Sequence, residues 1–570
     1  MLEDIIILRS NHLNFMKNNN ISAFLNLNFK ISLILFNVIM FLSCKKEKNE
    51  SPKEMVMSIT PSEITLAKDQ SMLSRLELVF ENFPNDESKE VVWHSENPKI
   101  ASVNKEGAVS SERAGVTYVV ATLVNSKISA RCKVTVTDAN SYKYRILLKD
   151  KGVPDFSLSN PKQFLSDKAI ERRRKRNIPI DDLDLPISSD YIKAIQKVGG
   201  VIVAKSKWLN AVSVQVKDQG LIEEYLKLPF VKDVIMVWEG KDKEVNTLKY
   251  VDAPQVANNS VDNLPIDYGV ATSNITVNNG QVLHNLGFKG KGIDIAVIDA
   301  GFINLKSNPS FNNVNIKGAK SFIYEDDNPY GSDGHGVWVT SCMAVNKPGV
   351  YVGTAPEANY WLFRTEDQSS EQLVEQDYWV SAAEYADSVG VDLINSSLYY
   401  GTGYYSPPEM YRYETFDGKT HFATRGANIA FKKGIFIVNC AGNDQTWVGT
   451  PADSPNVLTT GSVNSTLKVD NSSSWGKTVD GRIKPDLMAK GGGAYLIGID
   501  GASRLSSGTS YASPIVCGLV ACLWQAYPNL SNTQLLEIMR KSGDRYNAPE
   551  LQYGYGIVDM GKAIELGKAL

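Results

Sequence analysis

Four residues spread over the C-terminal half of the chain carry groups suited to moving an acyl group. The mostly β-branched run Ile293-Asp294-Ile295-Ala296-Val297-Ile298 ends in Asp299-Ala300-Gly301, which places a carboxylate at the carboxyl end of a strand, where α/β sites lie. An Asp there, taken alone, also fits a simple turn. In Ser332-Asp333-Gly334-His335-Gly336-Val337-Trp338 a histidine stands between two glycines at the start of an apolar helical pattern, open enough to shuttle protons. Of the other histidines, His12 lies near the N-terminus, His94 is in a β-rich segment, and His284 and His421 have no such glycine flank. Gly508-Thr509-Ser510-Tyr511-Ala512-Ser513-Pro514 opens the apolar helix Ile515 to Ala526, so the Ser510 hydroxyl and N–H meet the positive helix end; a capping serine is the plainer alternative. Finally, Ile435-Phe436-Ile437-Val438 runs into Ala441-Gly442-Asn443, and an amide at a strand end donates to a developing oxyanion without changing charge. Cys342 cannot serve His335 as nucleophile, since seven helical residues put it roughly 10 Å along the axis.

The elements that must position these groups alternate strand and helix from Gly290 to the C-terminus, as in a parallel α/β sheet. The order Asp299, His335, Asn443, Ser510 resembles the subtilisin-like serine proteases, for which Asp…His…Ser is the known order. Supporting matches are Gly353-Thr354-Ala355-Pro356, Val391-Asp392-Leu393-Ile394-Asn395-Ser396-Ser397-Leu398, Lys484-Pro485-Asp486 and Tyr553-Gly554-Tyr555-Gly556. The resemblance implies a serine endopeptidase domain over 280–570, with Ser510 as nucleophile, His335 as base and then acid, Asp299 as its orienter, and Asn443 in the oxyanion hole. It further implies that extended polypeptide substrate pairs with Ser397 and Leu398 by β-augmentation. The chain departs from the family in Val337-Trp338, where Thr and a second His are usual, in Tyr399-Tyr400, where glycine is usual, and in Ala300 for Thr. Bulky rings at the substrate edge are expected to narrow or redirect the specificity pocket. The competing expectation is a surface binding or adhesion protein whose protease domain is inactive. Calcium is common in the family, but no carboxylate cluster here matches a nameable loop, so no metal ligand and no other cofactor is assigned.

Upstream, short alternating strands broken by turns over 57–138 argue for an all-β sandwich. The stretch Trp93-His94-Ser95-Glu96-Asn97-Pro98 with Ile100-Ala101-Ser102-Val103, Gly107 and Gly115 resembles bacterial Ig-like domains. Residues 142–238 read as strand, helix, two strands, helix, strand, the ferredoxin-like α+β order. Family members often carry such a domain as a propeptide, so it is expected to inhibit the protease intramolecularly. Within it, Arg172-Arg173-Arg174-Lys175-Arg176 reads as a solvated helix end that suits the macrodipole. Residues 239–279, rich in Asn, read as a linker.

With 570 residues, 60 Lys+Arg against 63 Asp+Glu and a net charge of −3, the chain has room for several cores and no basic excess to hold nucleic acid. Ile31 to Ser43 is a largely apolar run of 13 behind Lys30, shorter than the about 20 residues a membrane span needs, and reads as an export signal. Phe41-Leu42-Ser43-Cys44 resembles a bacterial lipobox with Phe41 in place of Leu. It implies a signal over 1–43, acylation of Cys44, a polar tether over 44–56, and a cell-envelope location as an outer-membrane lipoprotein or a released enzyme. The sequence Met16-Lys17-Asn18-Asn19-Asn20 makes a better signal start than Met1. Of six cysteines five then remain. Cys517 and Cys522 lie roughly 8 to 9 Å apart on their helix, beyond disulfide reach; Cys132, Cys342 and Cys440 read as small buried hydrophobes.

Overall fold

The computed structural model describes residues 55–68, 74–83, 89–124, 126–137, 141–240, 266–324, 326–331, 333–367, 370–401 and 411–570. The expected signal and Cys44 lie outside them, and no helix among the described residues is long and apolar enough to cross a membrane. The chain divides into two units, Met57–Val79 with Ser88–Leu570, and Met1–Val56 with Phe80–Glu87. In the smaller unit Phe80 stands edge-on to Phe83 at 5.1 Å.

In the larger unit, near-continuous apolar runs form a seven-stranded sheet in the order Asn315–Ser321, Asn359–Arg364, Asp294–Asp299, Leu393–Ser396, Phe436–Cys440, Val457–Val463, Leu487–Lys490. Every pairing in it is parallel. Strands buried on both faces read this way because helices cover each side. One layer is the helix Thr509–Ala526, buried from Thr509 through Trp524; the other is Val374–Val389 with Phe422–Lys432. The winding reverses around the strand Asp294–Asp299, and the carboxyl edge beside such a reversal is where open α/β sheets bind ligands.

Ahead of this domain, the antiparallel sheet Val201–Ser206, Ala211–Val216, Ser141–Leu148, Val231–Gly240 realises the ferredoxin-like order. Tyr144, Ile146, Val212 and Val214 pack on one face with Ile195 and Tyr225. The opposite face meets the helix Val374–Val389 through buried polar contacts. Arg145 Nε donates to Asp377 Oδ1 at 2.7 Å and Lys143 Nζ to the Tyr378 hydroxyl at 3.1 Å. Glu384 accepts from Ser206 Oγ at 2.6 Å and from the Trp208 N–H at 3.0 Å. The Ig-like segment has a sheet of Glu63–Ala67, Ser129–Thr137, Gly115–Leu123, Val91–Ser95 and another of Ser74–Arg75, Ala108–Ser111, Ala101–Val103, closed over Leu66, Leu76, Val119, Cys132 and Val134.

Two expectations are corrected. The basic run is not a solvated helix end: Arg172 and Arg173 are buried. Arg172 pairs with Asp387, while Arg173 reaches Asp184 at 2.8 Å and Asp387 at 2.7 Å. Lys433 closes the network on Asp184 at 2.9 Å. Only Arg174 and Lys175 keep the expected exposed face, beside Glu171. The expected linker, 239–279, is also too long. The strand before it runs through Gly240, and Thr272–Thr276 is a helix with Asn274 and Ile275 buried. Asn278 Nδ2 bonds the carbonyls of Met488 and Val558 at 3.1 and 3.2 Å, which ties this stretch to the catalytic domain.

Losing one member of a buried charge network leaves the others uncompensated. Asp387→Asn should therefore destabilise the protein by about 3–5 kcal/mol, whereas Glu171→Gln, at an exposed site, should leave stability nearly unchanged. Denaturant unfolding of the two variants checks the contrast.

Candidate active site

The strand Asp294–Asp299 ends at the sheet's carboxyl edge, so Asp299 is fully buried beneath the cleft. Its Oδ1 accepts the Ala300 N–H at 2.8 Å and lies 2.7 Å from His335 Nδ1. The buried Oδ2 has no partner, so the imidazole is the carboxylate's main counterpart. His335 opens the helix His335–Ala344, whose first N–H is held by Asp333 Oδ1. Gly336 is needed for close approach: a Cβ there would lie 2.5 Å from the Gly301 carbonyl oxygen and 2.6 Å from the Phe302 ring. The glycine thus lets the histidine helix rest on the turn that follows Asp299. Burial by itself pushes the His335 pKa down. The Asp299 charge and hydrogen bond, with smaller contributions from Asp333 and Glu77, outweigh it and raise the value to about 9. The ring is 25% exposed, and this solvent contact tempers the elevation.

Ser510 lies in the first turn of Thr509–Ala526, where an N–H has no intrahelical acceptor. Its hydroxyl donates to the Ser397 carbonyl at 3.4 Å, so the bond to the imidazole is not formed in this state, although Ser510 and His335 line one cavity. Ser397 Oγ in turn donates to the Ser510 carbonyl at 2.8 Å. That carbonyl is available because residue 514 is a proline. Pro514 falls in the second turn of this helix and lacks the N–H that would otherwise bond back to residue 510. The sequence contains this signal, but only the helix start reveals its use.

Asn443 follows the strand Phe436–Cys440 and the turn at Gly442, whose φ of +102° suits glycine. Asn443 Oδ1 accepts from the Thr509 N–H at 3.0 Å and from Thr509 Oγ1 at 2.9 Å. With the oxygen fixed, Nδ2 is the atom left to donate into the cavity it shares with Ser510. Thr509 was not singled out from sequence, although it is adjacent to the serine.

The substrate edge is less free than expected. The strand Leu393–Ser396 stops before Ser397; the Ser397 carbonyl is taken by Ser510, and the Leu398 carbonyl by Asn439 Nδ2 at 2.8 Å. Of the two tyrosines, only Tyr399 reaches the cavity, with its hydroxyl on Asp444 at 2.5 Å. Tyr400 turns inward, buried, and donates to Glu366 Oε1 at 2.8 Å. His284 and His421 are structural: burial lowers both to about 4, and His284 bonds Tyr268 and the Thr354 carbonyl, each at 3.0 Å. The five described cysteines are free and buried.

Sequence reading missed a trio of carboxylates, Glu366, Glu371 and Glu375, with oxygens within 4.8 Å of one another. Burial first, then the Asp299 charge, pushes Glu366 up to about 7, and burial followed by the Glu366 charge pushes Glu371 up to about 8. Tyr400, Thr365 and the Asp367 N–H already occupy two of their oxygens, which leaves the set short of the six to eight oxygens that calcium takes. The group therefore reads as carboxyls sharing protons.

Residues 290–556 match the Subtilase family, residues 143–254 the Peptidase S8 propeptide domain of Bacteroidota, and residues 56–134 the bacterial Ig-like domain (group 2). Subtilisin E of Bacillus subtilis is 26% identical over 380 residues, which cover 65% of this chain and 85% of the relative. Subtilisin of Bacillus pumilus is 28% identical over 292 residues, covering 50% and 94%. Serine protease AprX of Bacillus subtilis is 27% identical over 316 residues, covering 50% and 67%. Taken with the geometry of the cleft, these matches give the chain a Subtilase-family domain over 290–556 that supports a serine-type endopeptidase, preceded by an S8 propeptide domain and a bacterial Ig-like domain.

Proposed function

We propose that the protein is an exported endopeptidase that cleaves polypeptides through an acyl-enzyme on Ser510. The observation that carries this reading is the Asp299–His335 hydrogen bond of 2.7 Å at a cavity that Ser510 and Asn443 also line. When substrate enters, the Ser510 hydroxyl turns from the Ser397 carbonyl to His335 Nε2. Its oxygen attacks the scissile carbonyl carbon while the proton passes to the imidazole. The carbonyl π pair moves onto oxygen, where Asn443 Nδ2 and the Ser510 N–H receive the charge. Collapse breaks the C–N bond, and the imidazolium returns the proton to the leaving amine. Water then repeats the sequence and frees the acid and Ser510. Asp299 fixes the imidazole tautomer and stabilises its cation. Export with a lipid on Cys44 is proposed from the apolar run Ile31 to Ser43 and the Ser43-Cys44 ending. The ferredoxin-like domain is proposed to act as an intramolecular inhibitor, and its buried contacts with the helix Val374–Val389 support that reading.

Three outcomes follow from this chemistry. Ser510→Ala abolishes both casein hydrolysis and labelling by a fluorophosphonate probe; retained turnover would remove Ser510 as nucleophile. Asn443→Ala lowers kcat by roughly 10²–10³ with KM little changed, as steady-state kinetics on a short peptide will read. Because only neutral imidazole accepts the serine proton, kcat/KM rises with pH through the His335 pKa of about 9. Asp299→Asn removes the charge that holds this value up, so the limb moves toward about 6.5, a shift that a pH–rate profile measures.

A further inference from the structure

The cavity of about 340 Å³ that contains His335 and Ser510 is not walled by the catalytic domain alone. Leu76, Glu77, Leu78, Trp93 and Glu106 of the Ig-like domain also line it. This wall is fixed in place by its own hydrogen bonds. Asn104 Oδ1 accepts the N–H groups of Glu106 and Ala108 at 3.0 and 2.8 Å, and the Leu76 N–H donates to the Gly107 carbonyl at 3.0 Å. Gly107 has φ +80°, and a Cβ there would lie 2.7 Å from the Trp93 ring. The turn carrying Glu106, the chain at Leu76 and Trp93 are therefore held together as one surface.

The chemistry of the lining is one-sided. Glu77 and Glu106 face it from the Ig-like domain and Asp444 from the catalytic domain, and among the described residues no lysine or arginine lines it. Lys105 reaches Glu106 only at 3.8 Å and is almost fully exposed, a pairing of little energetic weight. Trp93, Trp338 and Tyr399 add aromatic faces to the same cavity. Carboxylates beside aromatic rings are the combination that attracts cations, through charge and through the ring quadrupole. The negative charge continues beyond the cavity, since Glu77 also raises Glu371, after burial and the nearer Glu366. The volume lies within the range of about 300–1,000 Å³ typical of ligand sites.

We propose that the Ig-like domain builds one side of the substrate cleft, and that Glu77 and Glu106, with Asp444, Trp93 and Trp338, form a subsite for a lysine or arginine side chain of the polypeptide substrate. This rests on the endopeptidase reading and names the substrate class for the same cleft. It gives the Ig-like domain a role in selection beyond that of a spacer. The buried Arg172, Arg173 and Asp387 network holds the neighbouring ferredoxin-like domain, not the Ig-like domain, on the catalytic domain.

The test uses the full chain and a set of fluorogenic peptides in which lysine, norleucine or glutamate is placed in turn at each of the positions flanking the scissile bond. At one position wild type should favour lysine over norleucine in kcat/KM by about tenfold, mainly through KM and more strongly at low salt. In the double variant Glu77→Gln, Glu106→Gln this preference should fall below about threefold and lose its salt dependence. Fluorophosphonate labelling of Ser510 in the variant shows that the fold and nucleophile are intact. A wild type with no lysine preference at any position overturns the proposal, and so does a preference that survives in a labelled double variant. Failure of the endopeptidase reading is distinguished separately, because Ser510→Ala would then leave hydrolysis of every peptide unchanged.

Discussion

The hydrogen bond between Asp299 and His335 dictates how the strand, the helix and the turn at the cleft must meet. A carboxylate with one oxygen unpartnered in a dry setting is costly unless a cation or a strong donor faces it. The strand Asp294–Asp299 delivers that carboxylate at full burial. The histidine must then come to it on the end of a helix close enough to touch the turn at Gly301, which only Gly336 permits. The same sheet edge brings Asn443, and the helix packed across the sheet brings Ser510. The cleft is thus assembled from one edge of one sheet, which is why residues 36 positions apart can share a proton.

A second set of charges holds the ferredoxin-like domain on the catalytic domain. Asp377, Glu384 and Asp387 all lie on the helix Val374–Val389 and all point their carboxylates at the preceding domain. Guanidinium groups satisfy Asp377 and Asp387, while Glu384 accepts from Ser206 Oγ and the Trp208 N–H, and buried polar pairs with good geometry specify one docking arrangement more firmly than apolar surface does. A cut between Gly240 and Ile266 severs the chain without touching a single one of these contacts. Processing, where it occurs, and dissociation are therefore separate events, the second governed by a desolvated polar interface.

What the sequence made legible follows from how local each signal is. The strand ending at Asp299, the glycine-flanked His335 and the helix starting at Ser510 are each specified within a few residues, and the structure brings all three to one cleft. Arg172 and Arg173 were misread because their partner Asp387 is more than 200 positions downstream and no local pattern points to it. The stretch from Ile266 to Asn279 looked like a linker because it is polar, yet Asn274 and Asn278 are buried donors to backbone carbonyls. Tyr399 and Tyr400 differ for a reason that pattern alone could supply. Side chains alternate across extended backbone, so one ring of an adjacent pair must enter the cleft and the other the core.

The charge around the cleft performs two tasks that pull against each other. Negative groups near His335 make it a stronger base, which favours taking the proton from Ser510, but they also keep it protonated until the pH is high. Glu77 adds to that pressure from outside the catalytic domain. A cationic side chain bound beside Glu77 would neutralise part of this field and lower the imidazole's proton affinity. Substrate binding and activation of the base are then linked through the same electrostatic field, since whatever cation the cleft attracts also makes the neutral imidazole easier to reach. In this way the Ig-like wall acts on the reaction through charge, without touching either the nucleophile or its base.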